Sequence, residues 1–384
     1  MGLTVGEIIE HLEMEGEFGP PRTSGWPSYN PEEYDAYLID WRGLFGTSNR
    51  EPIFQGIDDP ELADWIGANL GAGEPRGDDI HSVADRRPEV CAWYQPIHFF
   101  GHGWGIFVLD DCVRRIAGDI ARWVPRRGGS SVWTLQAPLL QMAFASLFLH
   151  EAFHHKTESF AIRLDVTERT PRYRSYWGSV YEPATRPKGS GPLEEALANA
   201  DSYRRLNEPA HARYVPRDLI RITRDYMTWR FPLDPPGYSA ATSYLTNEPN
   251  RAGQNLLKSQ VQEGTAKPFR AISQWRMAPN MNECLFGLSS DIWTLVKRGG
   301  TPSLPVFPIY RPVSTLKLEK ALKETYGYSR VKGGKGSHVK LKATGHATLI
   351  LPGDRKDLSP VVLKGIAGDL GFRDPGEFLA AVGA

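Results

Sequence analysis

Cysteine is scarce in this sequence, which limits how the chain can be stabilised and what kind of metal site it can build. The 384 residues include three cysteines, and no two of them form a CxxC pair. An odd number at wide spacing argues against a disulfide framework and against a zinc site made of thiolates. Any metal site is therefore expected to use histidine and carboxylate side chains.

Long apolar runs and targeting signals are also missing. The longest apolar stretch almost free of charge, residues 138–149, is much shorter than the roughly 20 residues of a membrane-spanning helix, so it predicts a buried helix. The first residues are acidic where a signal or transit peptide would have a basic stretch followed by an apolar run. We therefore expect a cytoplasmic protein with no membrane contact.

Charge is balanced in total but unevenly distributed. The net formal charge of the chain is zero, yet residues 311–384 contain 13 Lys and Arg against 7 Asp and Glu. This tail has a net charge of +6 and the rest of the chain −6. A small basic unit on an acidic body is typical of a module that faces nucleic acid, although many basic surfaces bind none.

Segments rich in glycine and proline divide the chain. Residues 1–90 predict an irregular first part of a body that extends over 1–298, and residues 299–312 read as a linker to a small domain at 313–384. Helical patterns outnumber strand patterns in the body, whereas the tail reads as helix, three strands and helix. The predicted fold class is α+β, with a mainly helical body, a small sheet and an α-β-β-β-α tail.

Apolar periodicity locates the main elements of the body. A strand is predicted at 104–109, and a long helix at 138–166 whose upstream half is apolar on nearly every side. Capping and periodicity predict further helices at 110–123, 193–206 and 216–231. Residues 232–300 give no clear pattern.

The predicted long helix contains an HExxH motif made by His150, Glu151 and His154. Two histidines four residues apart project from one helical face, so both can reach one zinc ion at about 2.0–2.1 Å. Zinc lowers the pKa of a bound water from about 15.7 to about 7. Glu151 is placed to accept the proton of that water and pass it to a leaving group.

A catalytic zinc site needs a third protein ligand, and a later predicted helix contains an ExxxN pattern at Glu195 and Asn199. The two helices together resemble glutamate-type zincin peptidases, and the segment around Glu195 resembles the ImmA/IrrE-like metallopeptidases. The resemblance implies a zincin-like body that cuts a protein or peptide substrate. It also implies these roles: ligands His150, His154 and Glu195, general base Glu151, and Asn199 as a partner of a ligand histidine.

Two other glutamates remain open as the third ligand. Glu194 is adjacent to Glu195 and could exchange roles with it. Glu158 continues the face of His150 and His154 by four residues, although one helix face rarely surrounds a tetrahedral ion well. The alternative is that the motif occurs by chance and that His150 is a buried histidine whose hydrogen bonds are made within the core.

The tail resembles the HicA family of toxin ribonucleases, which have a double-stranded-RNA-binding-like fold. The matching residues are Gly327-Tyr328, Gly336-Ser337-His338, Leu351-Pro352 and Leu358-Ser359-Pro360, followed by Leu363 and Ile366. The resemblance implies a metal-independent mRNA interferase in which His338 helps the RNA 2′-hydroxyl attack its neighbouring phosphate. The sequence departs from the family at Gly353-Asp354, where a histidine often follows the proline.

The same tail also predicts binding partners for the protein. Four lysines along the predicted hairpin are expected to hold RNA phosphates: Lys332, Lys335, Lys340 and Lys342. HicA toxins normally meet an antitoxin, so an antitoxin or another regulatory partner is also expected.

Three functions are compatible with these features. The first is a zinc metallopeptidase whose tail binds or cleaves RNA, in a toxin-antitoxin, stress or defence role. The second is a HicA-type interferase with a regulatory or structural zinc body, and the third is a non-catalytic RNA-binding protein with structural zinc. A structural zinc site usually has four protein ligands, often cysteine. Three good ligands and a glutamate beside them favour the metallopeptidase.

Overall fold

The structure, a computed structural model, describes most of the chain in separate stretches. They are residues 8–9, 12, 30, 32–39, 59–77, 80, 88–126, 132–181, 191–212, 215–268, 292–306, 313–331, 338–353, 358, 360–372 and 375–384. Helices predominate in these stretches and two small sheets accompany them, which confirms the α+β class at this coarse level.

The helices are numbered along the chain. Those of the body are α1 (Pro60–Asn69), α2 (Pro88–Cys91), α3 (Ile97–Phe100), α4 (Asp110–Ala121), α5 (Val132–Glu168), α6 (Arg172–Tyr181), α7 (Leu193–Arg205), α8 (Pro209–Ala212), α9 (Arg217–Arg230) and α10 (Asn247–Glu263). Those of the tail are α11 (Thr315–Tyr326), α12 (Pro360–Asp369) and α13 (Pro375–Val382). Short 3₁₀ turns lie at Gly101–Gly103, Phe231–Leu233 and Tyr238–Tyr244.

The strands form one sheet in the body and one in the tail. They are β1 (Tyr34–Leu38), β2 (Ala92–Gln95), β3 (Gly105–Leu109), β4 (Ile292–Lys297), β5 (Ser329–Arg330), β6 (His338–Lys342) and β7 (Leu349–Pro352). In the body the order is β1-β4-β3-β2, and β3 and β4 are parallel while the other pairs are antiparallel. Helices α4 to α10 lie between β3 and β4 in the chain, so one long crossover contains most of the body.

Helix α5 lies at the centre of the body and contacts α4, α6, α7 and β2. It begins at Val132 and not at Pro138 as predicted, and Pro138 lies inside it. The extra upstream turn is anchored by Gln136, which accepts from the Asp59 backbone N–H and donates to the Asp59 carbonyl. A tertiary contact therefore extends the helix past a residue that usually marks a helix start.

By length and composition α5 is also apolar enough to cross a membrane. Most of its apolar window is buried against the neighbouring helices and the sheet. A helix that is apolar on all sides is expected at the centre of a large body, so its packing accounts for its composition.

Cys91 and Cys112 form a disulfide with a Cα–Cα distance of 5.4 Å, so the sequence-based argument against disulfide bonding was wrong for these two. Cys91 directly precedes β2, and Cys112 lies in the first turn of α4, directly after β3. Because β2 and β3 are antiparallel neighbours, the start of one lies beside the end of the other. Wide spacing in sequence therefore did not mean distance in space.

Part of the predicted linker is packed against the body. The backbone N–H and the hydroxyl of Ser303 both donate to the buried carboxylate of Asp110, each at 2.9 Å. Leu304 is buried in the main core, and Val306 forms a β-bridge with Ile39. Residues 301–306 thus pack as part of the body.

The tail has its own core and contains the predicted helix, three strands and helix, followed by α13. Ser314 caps α11 by accepting from the Lys317 N–H, and Gly327 ends that helix at φ 71°. The sheet β5-β6-β7 is antiparallel and buries Leu341 against α11 and α12. Helix α12 also lies against the turn Gly101–Gly103 of the body.

Candidate metal centre

The packing of α5 against α7 forms the candidate site. The hydroxyl of Ser202 in α7 donates to the carbonyl of Ser146 in α5 at 2.7 Å. Nearly three helical turns further along α5 from that carbonyl, the ammonium of Lys156 pairs with Asp201 of α7 at 2.8 Å, and both are buried. These polar contacts fix the relative position of the two helices, so α5 presents its histidines to the first turn of α7.

Three side-chain atoms converge where the helices meet. The Nε2 atoms of His150 and His154 are 3.2 Å apart, and each is 3.3 Å from Oε2 of Glu195. The three residues form a group that could hold a metal ion. The structure thus brings together the three residues that the sequence proposed as ligands.

The size of this triangle suits a small tetrahedral ion. Zinc bonds of about 2.0–2.1 Å give a tetrahedron with edges of about 3.3–3.4 Å, and the three edges here measure 3.2, 3.3 and 3.3 Å. Oε2 of Glu195 is buried and has no hydrogen-bond partner among the described residues. A buried carboxylate oxygen without a hydrogen-bond donor is costly unless a cation lies beside it. The residues present therefore fit a metal ion.

Asn199 determines which nitrogen of His150 faces the site. The Nδ1–H of His150 donates to Oδ1 of Asn199 at 2.9 Å, which leaves Nε2 as an acceptor. The amide nitrogen of Asn199 faces Oδ2 of the buried Asp234 at 3.4 Å and the carbonyl of Tyr238 at 3.3 Å. These contacts fix the orientation of the amide, and the ring of Tyr238 stacks on His150.

Glu194 determines which nitrogen of His154 faces the site. Its Oε1 accepts from the Nδ1–H of His154 at 2.9 Å, and its Oε2 accepts from the hydroxyl of Tyr176 at 2.5 Å. Both carboxylate oxygens of Glu194 are thus occupied away from the triangle. Of the two neighbouring glutamates, the structure therefore places Glu195 in the triangle and Glu194 behind one of its histidines.

The electrostatics of the triangle favour a cation. Burial lowers the pKa of His154, but the carboxylates of Glu195 and Glu194 outweigh burial and raise it well above its usual value. Burial raises the pKa of Glu195, but His154 and His150 hold it well below its usual range. Without a metal the site therefore retains a proton on His154, which a metal ion would displace on binding.

Glu158, the rival third ligand, has other partners. Its carboxylate accepts from the backbone N–H groups of Ile97 and His98 at 3.1 and 2.9 Å, from the His98 ring at 2.6 Å, and from the Tyr94 hydroxyl. It is fully buried. Glu158 joins α5 to the segment after β2 and is not part of the metal triangle.

His98 bridges two buried carboxylates of α5. Its Nδ1–H donates to Glu158 at 2.6 Å and its Nε2–H donates to Asp165 at 2.9 Å. Burial lowers the pKa of His98, but Asp165 and Glu158 together raise it to about 9. Tyr94 and His155 adjoin the same network, and burial lowers the pKa of His155 to about 4, so His155 is neutral. Because its own pKa is about 9, His98 is an imidazolium ion at neutral pH.

This bridge predicts a loss of stability in alkaline solution. Because the pKa of His98 rises from 6.5 to about 9 on folding, its contribution is fully present below pH 6.5 and disappears as the pH rises through 9. The free energy of unfolding should fall by on the order of 3 kcal/mol over that window. Urea unfolding across the window tests the loss, and NMR of the His98 ring tests its cause. Titration of the ring near pH 6.5 would contradict the assignment of the stability loss to His98.

Other sequence-predicted residues lie as follows. Glu151 follows His150 in α5 and is 3% exposed. His338, Lys340 and Lys342 lie in β6 of the tail, at alternate positions and hence on one face of the sheet. Lys332 and Lys335 lie outside the described residues.

The sequence did not reveal the partners behind the ligands. Tyr176 and Tyr181 come from α6, and Asp234 follows the turn Phe231–Leu233. None has a fixed spacing from HExxH, so no motif indicated them. The available signal was indirect, since two adjacent carboxylates that enter a core require donors nearby.

In chemical terms the centre combines two imidazole nitrogens, one carboxylate oxygen and a buried glutamate next to one of the histidines. Each of the three ligands also has a defined hydrogen-bond partner. Comparison of the chain with protein-family models, with curated proteins and with solved structures found no match.

Proposed function

We propose that the body is a zinc-dependent peptidase whose metal is held by His150, His154 and Glu195. The triangle of Nε2, Nε2 and Oε2 atoms, with an unpartnered buried carboxylate oxygen, carries this proposal. Two imidazole nitrogens and one carboxylate oxygen form a ligand set that catalytic zinc sites use. When bound, zinc acts as a Lewis acid that polarises a carbonyl and lowers the pKa of water.

Protein side chains carry the proton. Glu151, beside a ligand histidine, accepts the proton of the attacking water and then donates it to the departing amine of the peptide. Asn199 and Glu194 hold the two rings with Nε2 toward the metal, so the ligands do not reorient during the reaction. The surrounding burial keeps bulk water from the charged groups.

The donor set favours catalysis over a purely structural role. Among the described residues the group around the triangle has three members, whereas structural zinc sites usually have four protein ligands. His154 has a partly exposed side chain, and Tyr181 and Tyr238 beside the site are half-buried. With three protein ligands, a bound zinc ion would still be able to accept a substrate carbonyl or water.

A peptidase screen tests the proposal. The full chain, loaded with zinc, is incubated with a tryptic digest of a proteome, and new peptide termini are identified by mass spectrometry. We expect new termini that disappear with 1,10-phenanthroline and return when zinc is added in excess. Identical peptide profiles with and without enzyme, from a chain shown to contain zinc, would count against a peptidase.

A second candidate function belongs to the tail. We propose that the tail binds RNA through the face of β6 that contains His338, Lys340 and Lys342. The helices α11 and α12 cover the opposite face, on which Leu341 lies. Two lysines in line with a histidine on one sheet face suit phosphate contacts, and the HicA resemblance adds that His338 would act on the 2′-hydroxyl.

Salt dependence tests this contact. Lys340→Ala and Lys342→Ala should each weaken RNA binding by the full chain and reduce the slope of log affinity against log salt by about 0.7–0.9. Fluorescence anisotropy with a labelled RNA hairpin measures both quantities. Lys320→Ala, an exposed lysine on α11, is the matched control and should leave the slope unchanged. Equal slopes in all variants would exclude the face, and His338→Ala separates cleavage from binding.

A further inference from the structure

Helix α6 supplies two hydroxyl groups to two adjacent carboxylates at the metal centre. Tyr176 donates to Oε2 of Glu194 at 2.5 Å, and Tyr181 donates to Oε1 of Glu195 at 2.8 Å. The two tyrosines differ in what they reach, because Glu194 lies behind a ligand histidine while Glu195 is itself the third ligand. Their effects on a bound metal should therefore differ in kind.

The two oxygens of Glu195 have different surroundings. Oε2 lies 3.3 Å from both histidine Nε2 atoms and has no hydrogen-bond partner in the described part of the chain. Oε1 accepts from Tyr181. A carboxylate that binds a metal through both oxygens must turn both toward the ion, and here one oxygen is already held by a hydroxyl.

Packing holds the Tyr181 ring in place. The ring stacks on Trp177, one turn earlier in α6, with the centroids 5.3 Å apart and the planes 6° apart. Trp177 in turn is buried and contacts Phe99 edge to face. A hydroxyl on a ring fixed in this way donates from a defined direction, so its hydrogen bond constrains the carboxylate.

We infer that Tyr181 is a positioning residue that restricts Glu195 to a single oxygen ligand and so keeps the fourth coordination position of the metal open. This inference rests on the proposed metal site. A carboxylate bound through both oxygens would add a ligand atom close to the position that a substrate carbonyl requires. With the Tyr181 hydroxyl in place, a bound metal can accept a substrate atom. Without it, the second oxygen of Glu195 would obstruct that position.

Cobalt substitution measures the coordination number directly. Co²⁺ with four tetrahedral ligands absorbs visible light much more strongly than Co²⁺ with five or six. The full chain and its Tyr181→Phe variant are loaded with one equivalent of Co²⁺, and their visible spectra are compared with X-ray absorption at the metal edge. We expect the visible absorbance of Tyr181→Phe to fall severalfold and its ligand count to rise, while both proteins still bind the ion.

Two variants of the same helix provide controls. Tyr176→Phe should weaken Co²⁺ binding about 10–100-fold, as for other partners of a ligand histidine, and should keep the spectrum of the saturated protein. Tyr173→Phe removes a hydroxyl from another buried tyrosine of α6 and should change neither affinity nor spectrum. Circular dichroism confirms that each variant is folded.

The outcomes separate this inference from the proposed function. If the unmodified chain binds no Co²⁺, the metal site itself is wrong. If it binds Co²⁺ and Tyr181→Phe gives the same spectrum and ligand count, the metal site stands and the role of Tyr181 is wrong. Complete loss of the ion from Tyr181→Phe alone would also overturn the inference, because the hydroxyl would then be required for binding itself.

Discussion

Purified without a chelator, the full chain is expected to contain about one zinc ion, and His154→Ala and Glu195→Ala are each expected to lose nearly all of it. Each substitution removes one corner of a triangle with three protein ligands. His154→Ala also leaves Glu194 without its histidine partner, and Glu195→Ala removes the negative charge between two imidazoles. Two remaining ligands do not retain zinc during purification. Elemental mass spectrometry on purified protein measures the content.

Two further variants make this measurement specific. His346→Ala removes an exposed histidine of the tail and should keep the full zinc content. Glu194→Gln keeps the three ligands but weakens the acceptor behind His154, so zinc affinity should fall by about 10–100-fold. A zinc-free unmodified chain, or triangle variants with undiminished zinc, would show that the motif does not bind this metal in the protein.

Glu151→Gln is expected to reduce peptide hydrolysis by about 10²–10⁴-fold while the zinc content stays unchanged. The amide has nearly the shape of the carboxylate but cannot accept a proton from water. Because Glu151 is not one of the three converging residues, its replacement should leave the metal in place. Initial rates on a peptide found in the screen, divided by the zinc concentration of each preparation, give the comparison.

The matched control for this variant is Glu168→Gln, which makes the same substitution at the exposed end of α5. It removes an ion pair with Arg172 on the surface and should leave the rate within about twofold, since exposed pairs contribute little. Equal rates for the Glu151 variant and the unmodified chain would exclude Glu151 as the general base. Loss of zinc from the Glu151 variant would instead give that residue a structural role.

Local spacing made the candidate metal ligands predictable from the sequence. His150 and His154 are related by helix geometry alone, and Glu195 stands in the first turn of a helix whose start the sequence indicated well. The ExxxN resemblance indicated Glu195, but spacing alone did not separate it from Glu194, because that choice depends on how α7 is rotated against α5. In the structure the rotation is fixed by contacts such as that of Lys156 with Asp201.

Long-range pairing was much harder to predict. Strand β4 and helix α10 lie in the region that gave no clear pattern, and β4 finds both of its neighbours far away in the chain. The Cys91–Cys112 bond depends on the pairing of β2 with β3. Tyr181 reaches Glu195 only because α6 packs against α5 and α10. Each of these contacts is set by tertiary packing, which overrides local propensity.

The position of β4 in the sheet has a consequence for biosynthesis. It is the strand between β1 and β3, and it follows every ligand of the metal centre in the chain. During translation His150, His154 and Glu195 therefore leave the ribosome before the strand that completes the sheet. Contacts between distant segments form slowly because the intervening chain must first be ordered. The three candidate ligands are thus available to a metal ion before the sheet is complete.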